Sequence, residues 1–291
     1  MQATGDQGKP TQPTQPTQYR GVQWLLDQKN TLPMFLPDYP LVFYPLAVLA
    51  ILLAGISKGG FGAAAGGLAV PLMSIAIAPP EAAGIMLPIL CAMDVFSVYA
   101  YRGRWSKEHL GILLPGSLVG VALGGLAFGM LSVNMIRLIV GLIAVLFTLN
   151  KWLNLTDRLA RMLAVRQRPP GRMFGMICGL LSGLTSTLAH SGGPPFAVYI
   201  YSLKLDKTLI VATSALFFCI GNYVKLIPYY FLGQLNTANL STSLVFAPLA
   251  PLGVWLGLWL HKRMSEQAFF RISYALLFLS GLKLVYDALA V

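Results

Sequence analysis

Long apolar segments follow one another along almost the whole chain, and this feature restricts its fold more than any other. Most of the segments approach the roughly 20 residues that an α-helix needs to cross the hydrocarbon core of a bilayer. Continuous apolar runs with little charge favour helices over the alternating pattern of membrane β-strands. The sequence therefore predicts an all-α, polytopic membrane protein. The apolar segments cover roughly residues 39–57, 61–78, 82–101, 110–130, 134–153, 173–189, 194–203, 208–232, 240–260 and 267–290.

The composition excludes an ordinary soluble domain. Of the 291 residues, 56% are hydrophobic and 11% are charged, whereas soluble domains carry about 25% charged residues. A net charge of +11 would suggest a nucleic-acid partner if the protein were soluble. Here the basic side chains lie mostly in short loops between apolar segments, as the positive-inside rule describes. We therefore expect a lipid bilayer around the protein and no nucleic-acid partner.

Two of the apolar segments are interrupted by glycine-rich stretches, at matching places in the two halves of the chain. The first interruption begins at residues 55–62, GISKGGFG, and the second covers residues 183–195, GLTSTLAHSGGPP. Unwound backbone at membrane depth is tolerated only where it lines a cavity, because lipid cannot hydrogen-bond to peptide groups. Paired interruptions of this kind indicate the binding site of a transporter.

The charge of the loops predicts how the helices are oriented. When the basic loops are placed in the cytoplasm, the uncharged loops all fall outside. Each interruption then lies in a helical hairpin that returns to the side it left, followed by three membrane crossings. The two halves have opposite orientations, which makes them inverted-topology repeats, and both chain termini are expected outside the cell membrane. The basic loops are 102–109, 151–172, 204–207 and the loop near 262, and the loops without a basic residue are 79–81, 131–134 and 233–239.

Weak internal similarity supports two repeats. Residues 99–103, YAYRG, align with residues 229–233, YYFLG, and Gly66-Gly67 align with Gly192-Gly193. The two alignments have similar spacings and occur in the same order along the chain. Together with the loop charges, they indicate that the halves derive from one structural unit.

These patterns divide the chain into four parts. Residues 1–38 are mostly polar and contain the low-complexity run TQPTQPTQ, so we expect a disordered or interfacial tail rather than a signal peptide. Residues 39–153 and 173–291 are the two transmembrane repeats. Residues 154–172 form a basic cytoplasmic linker between them.

The two glycine-rich breaks, the aromatic-x-x-x-glycine ends at 99–103 and 229–233, and the basic central loop resemble the sulfite exporter TauE/SafE family of bacterial membrane transporters. The resemblance covers roughly residues 40–290. It implies two related halves, a place in the bacterial inner membrane, and transport of sulfur-containing anions such as sulfite and organosulfonates. Residues 190–195, HSGGPP, depart from the plainer glycine-rich run, followed by a Pro-Leu pair, that is typical of the family.

The first break offers an anion site around Lys58. Ser57 precedes this lysine and Gly59 and Gly60 follow it. A half-helix that begins after Gly62 would direct backbone N–H groups and its positive dipole end into the cavity. A lysine and a serine hydroxyl beside those groups would supply charge and further donors. The alternative is a lysine that extends to the membrane surface without a ligand.

The second break offers hydroxyls and one histidine. Serine and threonine in membrane helices often bond only to their own backbone, which is the alternative for this cluster. His190 precedes the Gly-Gly-Pro-Pro run, and a neutral imidazole there would donate to an anion or carry a proton. Simple helix packing is the other interpretation of this histidine. The candidates are Thr185, Ser186, Thr187, His190 and Ser191, with the backbone of Gly192 and Gly193.

Two charged residues lie inside the helices that follow the breaks. The repeat alignment places Asp94 opposite Val224, next to Lys225. Charges at this depth are costly and are therefore functional by default. One interpretation is an ion pair of Asp94 with Lys225 that holds the halves in register, and the other is a proton relay or a substrate contact. Asn222 lies three residues before Lys225, on the same helix face, and is a further candidate ligand.

We therefore predict a secondary transporter of a small sulfur-containing or organic anion, with export favoured. The membrane potential assists the exit of an anion by roughly 2.3 kcal/mol per charge per 100 mV. The alternatives are an anion channel on the same fold and a carrier of an unrelated small ion or metal. Cys91, Cys178 and Cys219 lie inside apolar segments without metal-ligand spacing. We expect no enzyme activity and no cofactor. The sequence is compatible with a homo-oligomer.

Overall fold

The apolar segments form helices, as their length and composition predict. A computed structural model describes residues 38–61, 67–155, 158–159, 171–203, 205–260, 263 and 266–290, and the regular structure in these ranges is entirely helical. The predicted tail, apart from Asp38, lies outside the described residues, as do most of the predicted linker and residues 62–66 of the first break. The fold class predicted from the sequence, an all-α polytopic membrane protein, is confirmed.

In the first half, a helix and a short π-helical turn precede a very short helix and three long ones. The π turn, Ser57–Phe61, continues the first helix without a gap. The α-helices of this half are α1 (Phe43–Ile56), α2 (Ala69–Met73), α3 (Pro79–Ala100), α4 (Lys107–Met130) and α5 (Val133–Trp152).

The second half repeats this order, with one long segment divided in two. Its α-helices are α6 (Arg172–Ala189), α7 (Gly193–Ser202), α8 (Lys207–Phe231), α9 (Thr237–Phe246), α10 (Leu249–Leu260) and α11 (Glu266–Leu289). Among the described residues, 7 helices are long and apolar enough to cross a membrane, or 8 if the bent pair α9 and α10 counts as one span.

The predicted segment 240–260 is not one straight helix. Its two parts, α9 and α10, are bent by 43°. Pro248 lies in the two-residue break between them, and proline both lacks the N–H that an α-helix needs and clashes with the preceding turn. The two hairpins also have limbs of unequal length. The first limbs, 43–60 and α6, have 18 residues each, whereas the second limbs, α2 and α7, have 5 and 10.

Polar caps in the loops determine where four of the long helices begin. Each capping side chain accepts a hydrogen bond from the backbone N–H three residues later, which satisfies one of the free donors at a helix start. The caps are Ser106 for α4, Ser132 for α5, Asp206 for α8 and Asn236 for α9.

The helices of the two halves pack in a reciprocal manner. The first limb of each hairpin packs on the fourth element of the other half, because α6 contacts α4 and α1 contacts α10. The corresponding helices α3 and α8 pack on each other, and so do α5 and α11. A twofold relation between the halves would produce this exchange of partners.

Glycines permit the two closest of these contacts. A Cβ atom at Gly120 of α4 would overlap the carbonyl oxygen of Leu180 in α6. A Cβ atom at Gly59 would overlap the carbonyl oxygen of Val254 in α10. Small residues spaced four apart let membrane helices approach in this way.

The aligned ends of α3 and α8 share a backbone conformation. Gly103 and Gly233 follow these helices with φ angles of 76° and 68°. Both angles lie in the left-handed region, which glycine adopts without a steric penalty. The aromatic-x-x-x-glycine patterns at 99–103 and 229–233 therefore mark equivalent turns.

Candidate functional site

A small cavity lies where side chains from both breaks meet helices α3 and α8. Its volume is about 40 Å³. A buried water needs roughly 10–15 Å³ of space, so the cavity has room for more than one water-sized group. It is lined by Lys58, Leu90, Asp94, Ser97, Ser186, His190, Gly193, Ser214, Ala215, Phe218 and Asn222.

The first break contributes Lys58, which lies in the π turn after α1. A π turn carries one more residue than an α turn and is frequent at functional sites. The side chain of Lys58 is 12% exposed and forms an ion pair with Asp94. The turn itself packs tightly, since the Tyr101 hydroxyl donates to the Gly59 carbonyl at 3.2 Å. The position of the lysine is therefore determined by neighbouring helices on both sides.

Asp94 joins three elements through its two carboxylate oxygens. Oδ1 accepts from Lys58 Nζ, and Oδ2 accepts from Asn222 Nδ2 at 2.6 Å. The side chain is 1% exposed. The carboxylate thus connects the π turn and α3 of the first half to α8 of the second. The ion pair of Asp94 with Lys225, one of the two interpretations offered by the sequence, does not form, because Asp94 pairs with Lys58 instead.

The second break is formed by the end of α6 and the start of α7. His190 terminates α6 with a left-handed backbone, φ 50°, a conformation that is uncommon outside glycine. Gly193 begins α7 and is followed by Pro194 and Pro195, which fit the first helical turn because its N–H groups need no partner there. The backbone therefore leaves the helical conformation at residues 190–192, within the predicted break of residues 183–195, whereas residues 183–189 are still part of α6.

Lys225 lies one hydrogen bond behind the cavity wall. Its ammonium donates to Ser186 Oγ at 3.0 Å, to the Ser186 carbonyl at 3.2 Å and to His190 Nδ1 at 2.8 Å. The residue is fully buried, at 0% exposure. In the described part of the chain, none of its hydrogen-bond partners is a carboxylate. Its positive charge is therefore not neutralised by a direct partner.

These contacts determine the protonation of His190. Nε2 lies 3.1 Å from the Ala83 carbonyl, which only accepts, so this nitrogen carries the proton. Nδ1 faces the Lys225 ammonium, which only donates, so Nδ1 is unprotonated. The imidazole is neutral and both nitrogens are engaged within the protein. The sequence suggested that His190 donates directly to an anion. In this arrangement His190 has no free N–H group for such a hydrogen bond.

Two serine hydroxyls remain able to donate into the cavity. Ser97 is 1% exposed and its Oγ has no hydrogen-bond partner. Ser186 accepts from Lys225, and this leaves its own hydroxyl hydrogen for another acceptor. Ser97 was not among the candidates from the sequence. Its position three residues after Asp94, on the same helix face, is the signal that would have identified it.

Several predicted ligands lie beside the cavity rather than on its wall. The Thr187 hydroxyl donates to the Gly183 carbonyl of its own helix at 2.9 Å, and Ser191 donates to the Gly67 and Ala189 carbonyls. These contacts hold the break together. The predicted candidates that line the cavity are Lys58, Asp94, Ser186, His190, Gly193 and Asn222, and those that do not are Ser57, Gly59, Gly60, Thr185, Thr187, Ser191, Gly192 and Lys225.

The described residues offer little for enzyme or metal chemistry. They contain no group of three or more His, Cys, Asp or Glu side chains that could hold a metal ion. Residues 55–59, GISKG, match the letters of a hydrolase nucleophile elbow, which requires a strand before the serine. Here helix α1 precedes Ser57 and the serine begins the π turn, so the match has no catalytic context.

Comparison with known proteins identifies the family. Residues 47–284 match the family described as Sulfite exporter TauE/SafE. No curated protein and no solved structure matches the chain. The matched range covers most of the sequence and contains both breaks and every residue of the cavity wall. This multi-pass membrane protein therefore belongs to the sulfite exporter TauE/SafE family of membrane transporters.

Proposed function

We propose that the protein is a secondary transporter that binds a small sulfur-containing or organic anion in the cavity between the two breaks and exports it across the bacterial inner membrane. The observation that carries this proposal is the charge around the cavity. With both lysines protonated, Lys58 and Lys225 contribute two positive charges, and the ionised Asp94 contributes one negative charge. One positive charge is left for a ligand to neutralise.

The buried ammonium of Lys225 supports this assignment energetically. Removing a charged group from water costs several kcal/mol unless an opposite charge compensates it. The hydrogen bonds that the ammonium donates to Ser186 and His190 satisfy its N–H groups but bring no negative charge. An anion in the cavity would supply that charge from one hydrogen bond away, through the Ser186 hydroxyl.

The proposed ligand set follows from the free donors. The Ser97 and Ser186 hydroxyls donate to the anion, and Lys58 attracts it from the first break. Lys225 polarises Ser186 from behind, and His190 positions Lys225. Asn222 orients Asp94. In this assignment the two breaks serve one shared anion site.

Export agrees with the energetics of the membrane. An anion leaves a negative interior with a gain of roughly 2.3 kcal/mol per charge per 100 mV, so no co-ion is required. The reciprocal packing of the halves and the shared turns after α3 and α8 support inverted repeats. Movement of one repeat against the other would then open the cavity to each side in turn.

Anion binding to Lys225→Met tests the proposal. We expect sulfite to raise the thermal unfolding temperature of the wild-type protein in detergent, because a ligand that binds the folded state stabilises it. Lys225→Met should lose this stabilisation and also lose saturable sulfite counterflow in proteoliposomes. The matched control is Lys283→Met, which removes an exposed lysine paired with Asp287 and should retain both properties.

Two results would overturn the proposal. Wild-type sulfite affinity and counterflow in Lys225→Met would exclude the assigned charge. Flux that does not saturate, accompanied by single-channel current steps, would replace the carrier with an anion channel.

A further inference from the structure

The three charges around the cavity also specify which anions the site accepts and with how many protons. We propose that Asp94 acts as a built-in counter-charge, which stays ionised when the cavity holds a monoanion and takes up a proton when the cavity holds a dianion. This inference rests on the proposed transport function, because it concerns the ligand of the same cavity.

The geometry of Asp94 is that of an internal substitute for a ligand. Its Oδ1 accepts a hydrogen bond from Lys58, the one charged donor on the cavity wall, and its Oδ2 accepts one from Asn222 Nδ2 at 2.6 Å. Both oxygens are thus engaged and the side chain is buried. An anion that needs Lys58 must compete with this carboxylate.

A monoanion does not need Lys58. Its single negative charge neutralises the single positive charge that Lys58, Lys225 and Asp94 leave over. His190 adds nothing to this balance, because its contacts with Lys225 and the Ala83 carbonyl make it neutral. The ion pair between Lys58 and Asp94 therefore stays intact in the loaded state.

When Asp94 is ionised and paired with Lys58, a dianion gives the loaded site a net charge of minus one. A proton from water that binds Asp94 Oδ1 restores neutrality and breaks the ion pair with Lys58. Oδ2 continues to accept from Asn222, and Lys58, which is 12% exposed and lines the cavity, is then free to bind the ligand. The loaded site has zero net charge in both cases, and its wall loses no donor.

Several other titratable groups surround Asp94. Besides Lys58, the titratable groups that act on it are Cys91 of α3 and Cys219, Tyr223 and Lys225 of α8. Helices α2, α9 and α10, which also contact α3, contain no titratable residue. The remaining contacts of α3 come from α1, with Tyr44, from α5, with Arg137 and Lys151, and from α6, with Arg172 and Cys178.

Proton uptake on ligand binding tests the inference in the unmodified protein. Sulfate and methanesulfonate are suitable probes, because each has four non-hydrogen atoms around one sulfur, and around neutral pH sulfate is a dianion and methanesulfonate a monoanion. The protein is mixed with each anion in weakly buffered detergent solution that contains a pH indicator. We expect uptake of about one proton per bound sulfate and none per bound methanesulfonate. By linkage, sulfate affinity should then fall tenfold for each unit of rising pH, while methanesulfonate affinity stays constant.

Asp94→Asn provides the variant arm. It should bind sulfate without proton uptake and with an affinity that no longer depends on pH. Asp287→Asn is the matched control, because Asp287 also pairs with a lysine but is partly exposed near the end of α11, and it should take up the proton as wild type does. Sulfate binding to wild type without proton uptake, or equal uptake with both anions, would overturn the inference. Failure of both anions to bind would instead refute the proposed anion site itself.

Discussion

The buried hydroxyl of Ser97 allows a prediction at the scale of a single residue. A hydrogen bond to a charged group contributes about 1.5–3 kcal/mol, so Ser97→Ala should weaken anion binding by roughly tenfold to a hundredfold. The ligand-free protein should be no less stable, because the substitution removes a buried polar atom that has no partner. Thermal unfolding in detergent, with and without sulfite, measures both effects.

The control for this prediction is another buried serine. Ser280 of α11 is 1% exposed and donates to the Leu277 carbonyl of its own helix at 3.0 Å. Ser280→Ala should leave sulfite affinity unchanged. If Ser97→Ala binds sulfite as wild type does, Ser97 is not a ligand.

The sequence identified most of the polar residues of the site but not how they combine. Lys58, Asp94 and Lys225 were evident because charges inside apolar segments are costly. Their pairing was not evident, because the π turn that directs Lys58 toward Asp94 follows from tertiary packing around the glycines. Ser97 was overlooked because a serine in a membrane helix usually bonds to its own backbone, although its position three residues after Asp94, on the same helix face, was a signal in the sequence.

At the scale of the helices, the close contact of α4 with α6 depends on the lack of a side chain at Gly120. A Cβ atom there would meet the Leu180 carbonyl, so Gly120→Ala should force the two helices apart. We expect a loss of about 1–3 kcal/mol, as is typical of overpacked positions. A lower thermal unfolding temperature of the purified protein is the readout.

The same helix provides the control. Gly111 of α4 has open space where a Cβ atom would lie, so Gly111→Ala should stabilise the helix by about 0.5–1 kcal/mol through lower backbone entropy. Equal and small effects of the two substitutions would contradict the assigned role of the close contact.

Helix positions were predictable from the sequence to a greater extent than helix irregularities. Apolar length predicted the long helices, and capping residues such as Ser106 and Asp206 account for where some of them begin. The bend between α9 and α10 at Pro248 was missed because the apolar run continues across it. The GxxxG spacings of α4 and α6 were present in the sequence as signals for close packing, and their partners became known only from the fold.

At the scale of the whole molecule, the reciprocal packing of the two halves and the inverted orientation are separate properties. Helix α6 packs on α4, and α1 packs on α10. The first limb of each hairpin therefore contacts the equivalent helix of the other half. The loop charges add the direction, because the loop after α3 is basic and the equivalent loop after α8 carries no basic residue. Opposite sides for these two loops are therefore the distinguishing consequence of inversion.

Cysteine accessibility tests this consequence directly. In a variant whose native cysteines Cys91, Cys178 and Cys219 are replaced by alanine, we expect Ala238→Cys, after α8, to react with a membrane-impermeant maleimide in intact cells. Arg104→Cys, after α3, should react only once the membrane is permeabilised, because the positive-inside rule predicts a cytoplasmic position for its basic loop. Both positions are exposed at or beside helix ends, so the reagent can reach each of them from its own side.

Val133→Cys and Lys207→Cys are the controls. Val133→Cys should behave like Ala238→Cys, and Lys207→Cys should behave like Arg104→Cys. Labelling of positions 104 and 238 from the same side would contradict inversion, and an exchange of their sides would preserve inversion but reverse the orientation derived from the loop charges.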